Sequence, residues 1–231
     1  MFEISPAEWT AILLSLRVAI IATLVATPFG IALAWLLARY NFWGKSVLDA
    51  LVHLPLVLPP VVTGYLLLLT FGRRGLVGAW LADNLGIVFA FRWTGAALAC
   101  GVMSFPLLVR PIRLSIEAID RRLEQASSTL GAAPWQVFAT VTLPLALPGI
   151  LAGMVLGFAK AIGEFGATIT FVSNIPGETQ TISSAIYSLI QTPDGDTAAG
   201  RLVLISIVIA MSALIASEWF ARRATQRLHG N

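Results

Sequence analysis

The sequence predicts an all-α membrane protein of about five spans, and three observations predict it. The 231 residues are 57% hydrophobic and 12% charged, with a mean hydropathy of +0.83; a soluble domain carries roughly 25% charged residues. Five apolar stretches come close to the ~20 residues a helix needs to cross a bilayer. Between the third and fourth lies a polar segment, residues 124–144 (EQASSTLGAAPWQVFATVTLP), which cannot span.

The spans fall at about 12–38, 51–71, 95–109, 149–172 and 202–220, within a single domain covering 1–231. The first has Arg17 near its outer end and is preceded by Glu3 and Glu8, not by a basic cluster. No small-residue cleavage site follows it, so it reads as a retained helix and not as a removed leader.

The second span begins HLPLVLPPVVTGY, His53 to Tyr65. Pro55, Pro59 and Pro60 each lack a backbone donor and kink a helix. In lipid the freed carbonyls need partners in protein or cavity water. The stretch therefore faces protein or a pathway, unless the kink serves packing alone. His53 reads as a satisfied interfacial residue. The third span is short by count and extends into its flanks.

The fourth carries Gly149, Gly153 and Gly157 on one helix ridge, which lets a neighbouring helix approach closely; the same ridge also suits a sliding surface. Lys160 and Glu164, four apart, share a face, and an ion pair between them offsets the cost of charge in the membrane. The hydroxyls of Thr168, Thr170 and Ser173 either line a pathway for a polar solute or bond back to their own helix. Two larger outer loops remain, 72–92 and 173–201, the second with a short interfacial or re-entrant helix near 181–191.

Cytoplasmic loops are enriched in Lys and Arg. With the N-terminus outside, the inner side holds nine: Arg39, Lys45, Arg110, Arg113, Arg121, Arg122, Arg222, Arg223 and Arg227. The outer side holds five: Arg17, Arg73, Arg74, Arg92 and Arg201. The expected topology is N-out and C-in, with residues 120–145 in the cytoplasm. The basic tail also suits anionic lipid.

Several functions are excluded. The single cysteine, Cys100, permits no internal disulfide, and His53 and His229 are the two histidines, so no metal-spaced cluster exists. Gly44-Lys45-Ser46 is not a phosphate loop, because Arg39 stands where that motif needs its first glycine. The carboxylates in or beside spans, Asp49, Glu117, Glu164 and Glu218, form no catalytic set. The chain is not expected to be an enzyme, to bind a cofactor or metal, or to bind nucleic acid.

The 124–144 segment reads as two short helices around Gly131-Ala132-Ala133-Pro134, with Pro134 suited to a first helical position. Leu123, Leu130, Trp135 and Phe138 give it an apolar side. Such an element inserts into a groove on a soluble partner or lies on the membrane surface. Gly131 is followed, after nine residues, by Val141-Thr142-Leu143-Pro144.

This pattern resembles the coupling loop of ABC-importer permeases: Glu-Ala-Ala, three residues, Gly, nine residues, Ile-x-Leu-Pro. Gln125-Ala126-Ser127 occupy the Glu-Ala-Ala register, and Glu124 sits one residue early. HLPLVLPPVVTGY at 53–65, SFPLLVR at 104–110 and GEFGATITFVSNIPGETQTI at 163–182 extend the likeness. Over nearly its whole length the chain is similar to the permease subunits of molybdate ABC transporters, with several segments shared by sulfate-type permeases.

The resemblance implies the type I ABC importer permease fold, a multi-pass protein of the bacterial inner membrane, and import of molybdate. It implies a homodimer, two cytoplasmic ATPase subunits that hold ATP-Mg, and an external oxyanion-binding protein. Glu124, Gln125, Ala126, Leu130, Gly131, Ala132, Trp135, Leu143 and Pro144 are the implied coupling residues. Pro60, Thr63, Ser104, Thr168 and Thr170 are candidate pathway residues, chosen by polarity and placement. The alternatives are transport of sulfate, thiosulfate or tungstate, and a stand-alone secondary transporter. Inverted repeats with several interrupted helices would mark the last, and five unlike spans argue against it. With few cations inside spans, selectivity falls to the external binding protein, since a pore must release its solute as well as admit it.

Overall fold

A computed structural model describes residues 4–229, with side chains described through Ala216. The side chains of Glu218, Arg222, Arg223, Arg227 and His229, like Glu3, lie outside the described residues.

Helix α1 runs Pro6–Arg39. Its start is written locally: Ser5 Oγ accepts from Glu8 N at 3.2 Å, and Glu8 Oε2 accepts from Ser5 N at 2.6 Å. These reciprocal bonds satisfy amides that the first helical turn leaves free, and Pro6 supplies a helical φ at no hydrogen-bond cost. At ~1.5 Å per residue α1 is about 50 Å long, more than a bilayer core.

Residues 51–71 do not form one straight span. Helix α2 (Lys45–Val57) and helix α3 (Pro60–Phe71) meet at a bend of 115°. The cause is steric. A proline pushes the residue before it out of the helical region. Leu58 precedes Pro59 and takes ψ 143°; Pro59 precedes Pro60 and takes ψ 134°. Two consecutive extended residues redirect the chain.

Helix α4 (Leu76–Leu85) closes on Gly86 in the left-handed region, φ 65°. Helix α5 (Trp93–Glu117) extends the short third apolar stretch at both ends. Helices α6 (Arg121–Thr129) and α7 (Pro134–Val137) form the polar segment. The segment does not end before the fourth span. A π-helical turn, Phe138–Thr142, joins α7 to α8 (Leu143–Ile162), so that Pro134–Ile162 is one apolar helical run of 29 residues. The fourth span then stops at Ile162, and α9 (Gly166–Val172) resumes after a break. Helix α10 (Ile182–Leu189) is short, and α11 (Asp196–His229) completes the chain.

Helix α5 is the centre, with α1 and α8 packed on it. One core joins Val18, Ala22, Cys100, Met103, Ala161 and Phe171; another joins Ala34, Leu108, Ile112, Ile116 and Ile150. The close α5–α8 approach depends on glycine. A Cβ on Gly153 would lie 2.5 Å from the Leu108 carbonyl oxygen, and one on Gly149 would strike Ser115 and lie 2.7 Å from the Pro111 carbonyl oxygen.

The outer faces of α1 and α11 expose Leu24, Val25, Phe29, Ile207, Val208 and Ile215. Apolar bands of this extent belong in lipid. Among the described residues four helices are long and apolar enough to cross a membrane, or five if the bent α2–α3 pair counts as one span.

Candidate functional site

The polar segment is held by local signals. Asp120 Oδ1 accepts from Arg122 N at 2.9 Å and starts α6. Gly131 sits at φ 89°, a conformation that strains any residue with a Cβ, and this turns the chain toward α7. Ala133 N donates to Gln136 Oε1 at 2.7 Å, and Pro134 opens α7.

The outer surface of this turn exposes three large apolar side chains among polar ones. Leu130 is 89% exposed, Trp135 70% and Leu123 50%. Gln125, Ala126 and Gly131 are exposed beside them and Ala132 is half-buried. Phe138, grouped with this face by sequence, turns the other way. It meets the Trp35 ring of α1 edge-on at 5.4 Å, and Tyr40 meets the same ring at 5.2 Å. Leu143 is half-buried and Pro144 exposed at the start of α8.

Glu124 also turns inward. Its Oε1 accepts from Arg39 Nη2 at 3.0 Å, Arg39 Nε at 3.2 Å and Thr142 Oγ1 at 2.6 Å. Arg39 Nη2 reaches the Ile119 carbonyl at 3.5 Å. This cluster lines one side of an open cleft of about 540 Å³, with Trp35, Arg121, Gln125 and Phe138 around it. Sequence reading missed Arg39 and Thr142 as partners of Glu124. Arg39 lies 85 positions away, and no spacing rule links them.

At the same end of the bundle, Arg113 of α5 donates to Asp49 of α2 and to Glu117, both at 2.8 Å. At the opposite end Arg201 of α11 donates to Glu8 at 3.0 Å, and Ile182 N donates to Ser15 Oγ at 2.7 Å, seating α10 against α1. Arg17 stacks over Trp93, 3.7 Å from the ring centroid.

The break between α8 and α9 holds a charged pair. Lys160 Nζ lies 2.6 Å from Glu164 Oε2, and the Glu164 side chain is 1% exposed. Its other oxygen accepts from Ala167 N at 2.9 Å, so one carboxylate both pairs the lysine and caps α9. Such a pair satisfies a charge that would be costly alone.

The structure brings four of the five candidate pathway residues onto two touching helices. Pro60 and Thr63 lie on α3; Thr168 and Thr170 lie on α9. Thr168 Oγ1 donates to the Phe165 carbonyl and Thr170 Oγ1 to the Gly166 carbonyl, both at 2.8 Å. These hydroxyls serve their own helix, as threonines within helices commonly do. Thr63 Oγ1 is buried without a partner. Ser104, fully buried on α5, bonds to the Gly101 carbonyl and stands apart from the other four. Among the described residues no three His, Cys, Asp or Glu side chains converge on a metal site.

The fold is a helical membrane body with a sharply bent span and a polar turn continuous with another. The sequence profile of the family described as "Binding-protein-dependent transport system inner membrane component" matches residues 26–227, and the chain belongs to that family. It is 62% identical over 220 residues to the molybdenum transport system permease protein ModB of Escherichia coli (strain K12), covering 95% of this chain and 96% of that one. It is 57% identical to the ModB of Haemophilus influenzae (strain ATCC 51907 / DSM 11121 / KW20 / Rd), covering 96% of each chain. Among solved structures, a bacterial ABC transporter involved in the import of the acidic polysaccharide alginate superposes with a TM-score of 0.74 at 21% identity, covering 95% of this chain and 80% of that chain. The fold is that of a type I ABC importer permease, and the chain is a multi-pass membrane protein.

Proposed function

We propose that this chain is the membrane-spanning subunit of an ATP-driven molybdate importer. The observation that carries the reading is the 62% identity to a molybdenum transport permease along 95% of the chain. Two copies pair in the membrane, N-terminus outside. Each presents its α6–α7 turn to one cytoplasmic ATPase subunit, which holds ATP-Mg, and an external binding protein delivers the oxyanion.

The docking face is Gln125, Ala126, Leu130, Gly131, Ala132 and Trp135. Its support is the exposure of Leu130 and Trp135 on a turn capped at Asp120 and Gln136, a surface suited to a groove on a soluble partner. Leu143 and Pro144 carry the turn into α8. Pro60, Thr63, Thr168 and Thr170 line or shape the path where the broken helices α3 and α9 meet, and Ser104 belongs to the core behind it. The Lys160–Glu164 pair holds the α8–α9 break closed and leaves little net charge to trap an anion.

The test is uptake by proteoliposomes containing this chain, its ATPase and its binding protein, with ATP-Mg on the ATPase side. Molybdate accumulation that unlabelled sulfate fails to compete is the expected result. Sulfate or thiosulfate accumulating in its place would move the chain to the sulfate-type permeases. Accumulation without ATPase would make it a secondary transporter.

A further inference from the structure

We propose that Glu124 is not part of the docking face but an internal strut, which passes movement of α6 to the ends of α1 and α8. This rests on the reading of the α6–α7 turn as the ATPase-docking element. The three groups come from three elements. Glu124 lies on α6, Arg39 is the last residue of α1, and Thr142 immediately precedes α8. One carboxylate oxygen collects three donors from the other two. The side chains of Arg39 and Glu124 are 10% and 18% exposed, against 89% for Leu130 and 70% for Trp135 on the same turn.

Exposure separates the two roles. A group that meets a soluble partner is exposed, as Trp135 and Gln125 are. Glu124 would have to break charge-assisted bonds, roughly twice as strong as neutral ones, before meeting anything outside the chain. Bonded as it is, a displacement of α6 pulls on two helices at once. Helix α8 carries that pull further, to the glycine contacts with α5 and to the Lys160–Glu164 break. Helix α1 receives it at the Trp35 cluster. Hydrogen-bond networks joined to packed helices of this kind carry coupling between distant sites.

The test uses the reconstituted complex of permease, ATPase and binding protein. Three quantities are read: ATPase copies retained per permease, ATP hydrolysed, and molybdate taken up per ATP. Glu124→Gln and Arg39→Gln should each retain the ATPase. Uptake per ATP should fall about tenfold, within the 5–150-fold range of ordinary coupling energies. The double variant should lose no more than either single one, because the two residues act as one link. Trp135→Ala is the control for the docking face and should lose the ATPase.

Loss of the ATPase in Glu124→Gln would overturn the strut and make Glu124 a docking residue. Unchanged uptake per ATP would overturn it equally, and so would additive losses. If Trp135→Ala keeps the ATPase, the docking reading itself fails, whatever Glu124 does. If the charge variants do not fold, Thr142→Val, which removes only the 2.6 Å bond, decides: lowered uptake per ATP supports the strut and an unchanged ratio refutes it.

Discussion

Gly153→Ala tests whether the membrane core depends on contact distance along a single ridge. An alanine Cβ at 153 would sit 2.5 Å from the Leu108 carbonyl oxygen and 3.3 Å from Ile112 Cγ1. A favourable carbon–oxygen contact is at ~3.3–3.6 Å, so α8 and α5 must separate by nearly 1 Å. The obstacle is backbone, not the free end of a side chain, so it yields only by moving a helix. Overpacking of this kind costs about 1–3 kcal/mol. Replacing glycine within a helix returns about 1 kcal/mol. The net change is a loss of about 0–2 kcal/mol.

Gly157, one turn further on the same ridge, is the control. A Cβ there meets Leu108 side-chain atoms at 3.6 Å, an ordinary contact, so Gly157→Ala keeps the propensity gain alone, up to about 1 kcal/mol. The two variants differ in chemistry by nothing and in stability by about 2 kcal/mol. Reversible unfolding in mixed micelles measures this directly, and thermal unfolding should separate them by roughly 4–8 °C. Equal stability of the two would refute the claim that close α5–α8 approach requires glycine at 153.

Two further outcomes follow from charge and exposure. Lys160→Met should lower stability by about 3–5 kcal/mol, because it strands a buried Glu164; Lys160→Met with Glu164→Gln should recover most of it, read by the same unfolding assay. For topology, a cysteine at Leu76, 91% exposed, should react with a membrane-impermeant maleimide in intact cells, and one at Trp43, 100% exposed in the α1–α2 loop and off the docking face, only after permeabilisation. Native Cys100 is buried and gives little background, and the reverse labelling pattern would overturn the N-out topology.

Local chemistry was readable from the chain because it depends on neighbours in sequence. Ser5, Pro6 and Glu8 announce a helix start, and the structure forms those bonds within three residues. Lys160 and Glu164 sit four residues apart, close enough for a 2.6 Å contact even though α8 stops at Ile162 and Glu164 lies in the break that follows. The prolines at 59 and 60 told of a kink. Its size, 115°, was not readable, because two successive extended residues set a direction that packing against α9 completes. The expectation of Phe138 on the exposed face misjudged which neighbour would claim it. Trp35 lies more than a hundred residues earlier, and helical period says nothing of that distance.

The sequence alone determined that this is a helical membrane protein and roughly where most of its apolar helices lie. Composition and periodicity decide those things, since the bilayer is a solvent that sorts residues one helix at a time. Tertiary structure decided how the polar segment is mounted. It joined α7 to α8 through a π turn, set the glycine ridge of α8 on α5, and brought Arg39 and Thr142 to Glu124. These are contacts between residues far apart in the chain, and only the folded arrangement of helices selects them.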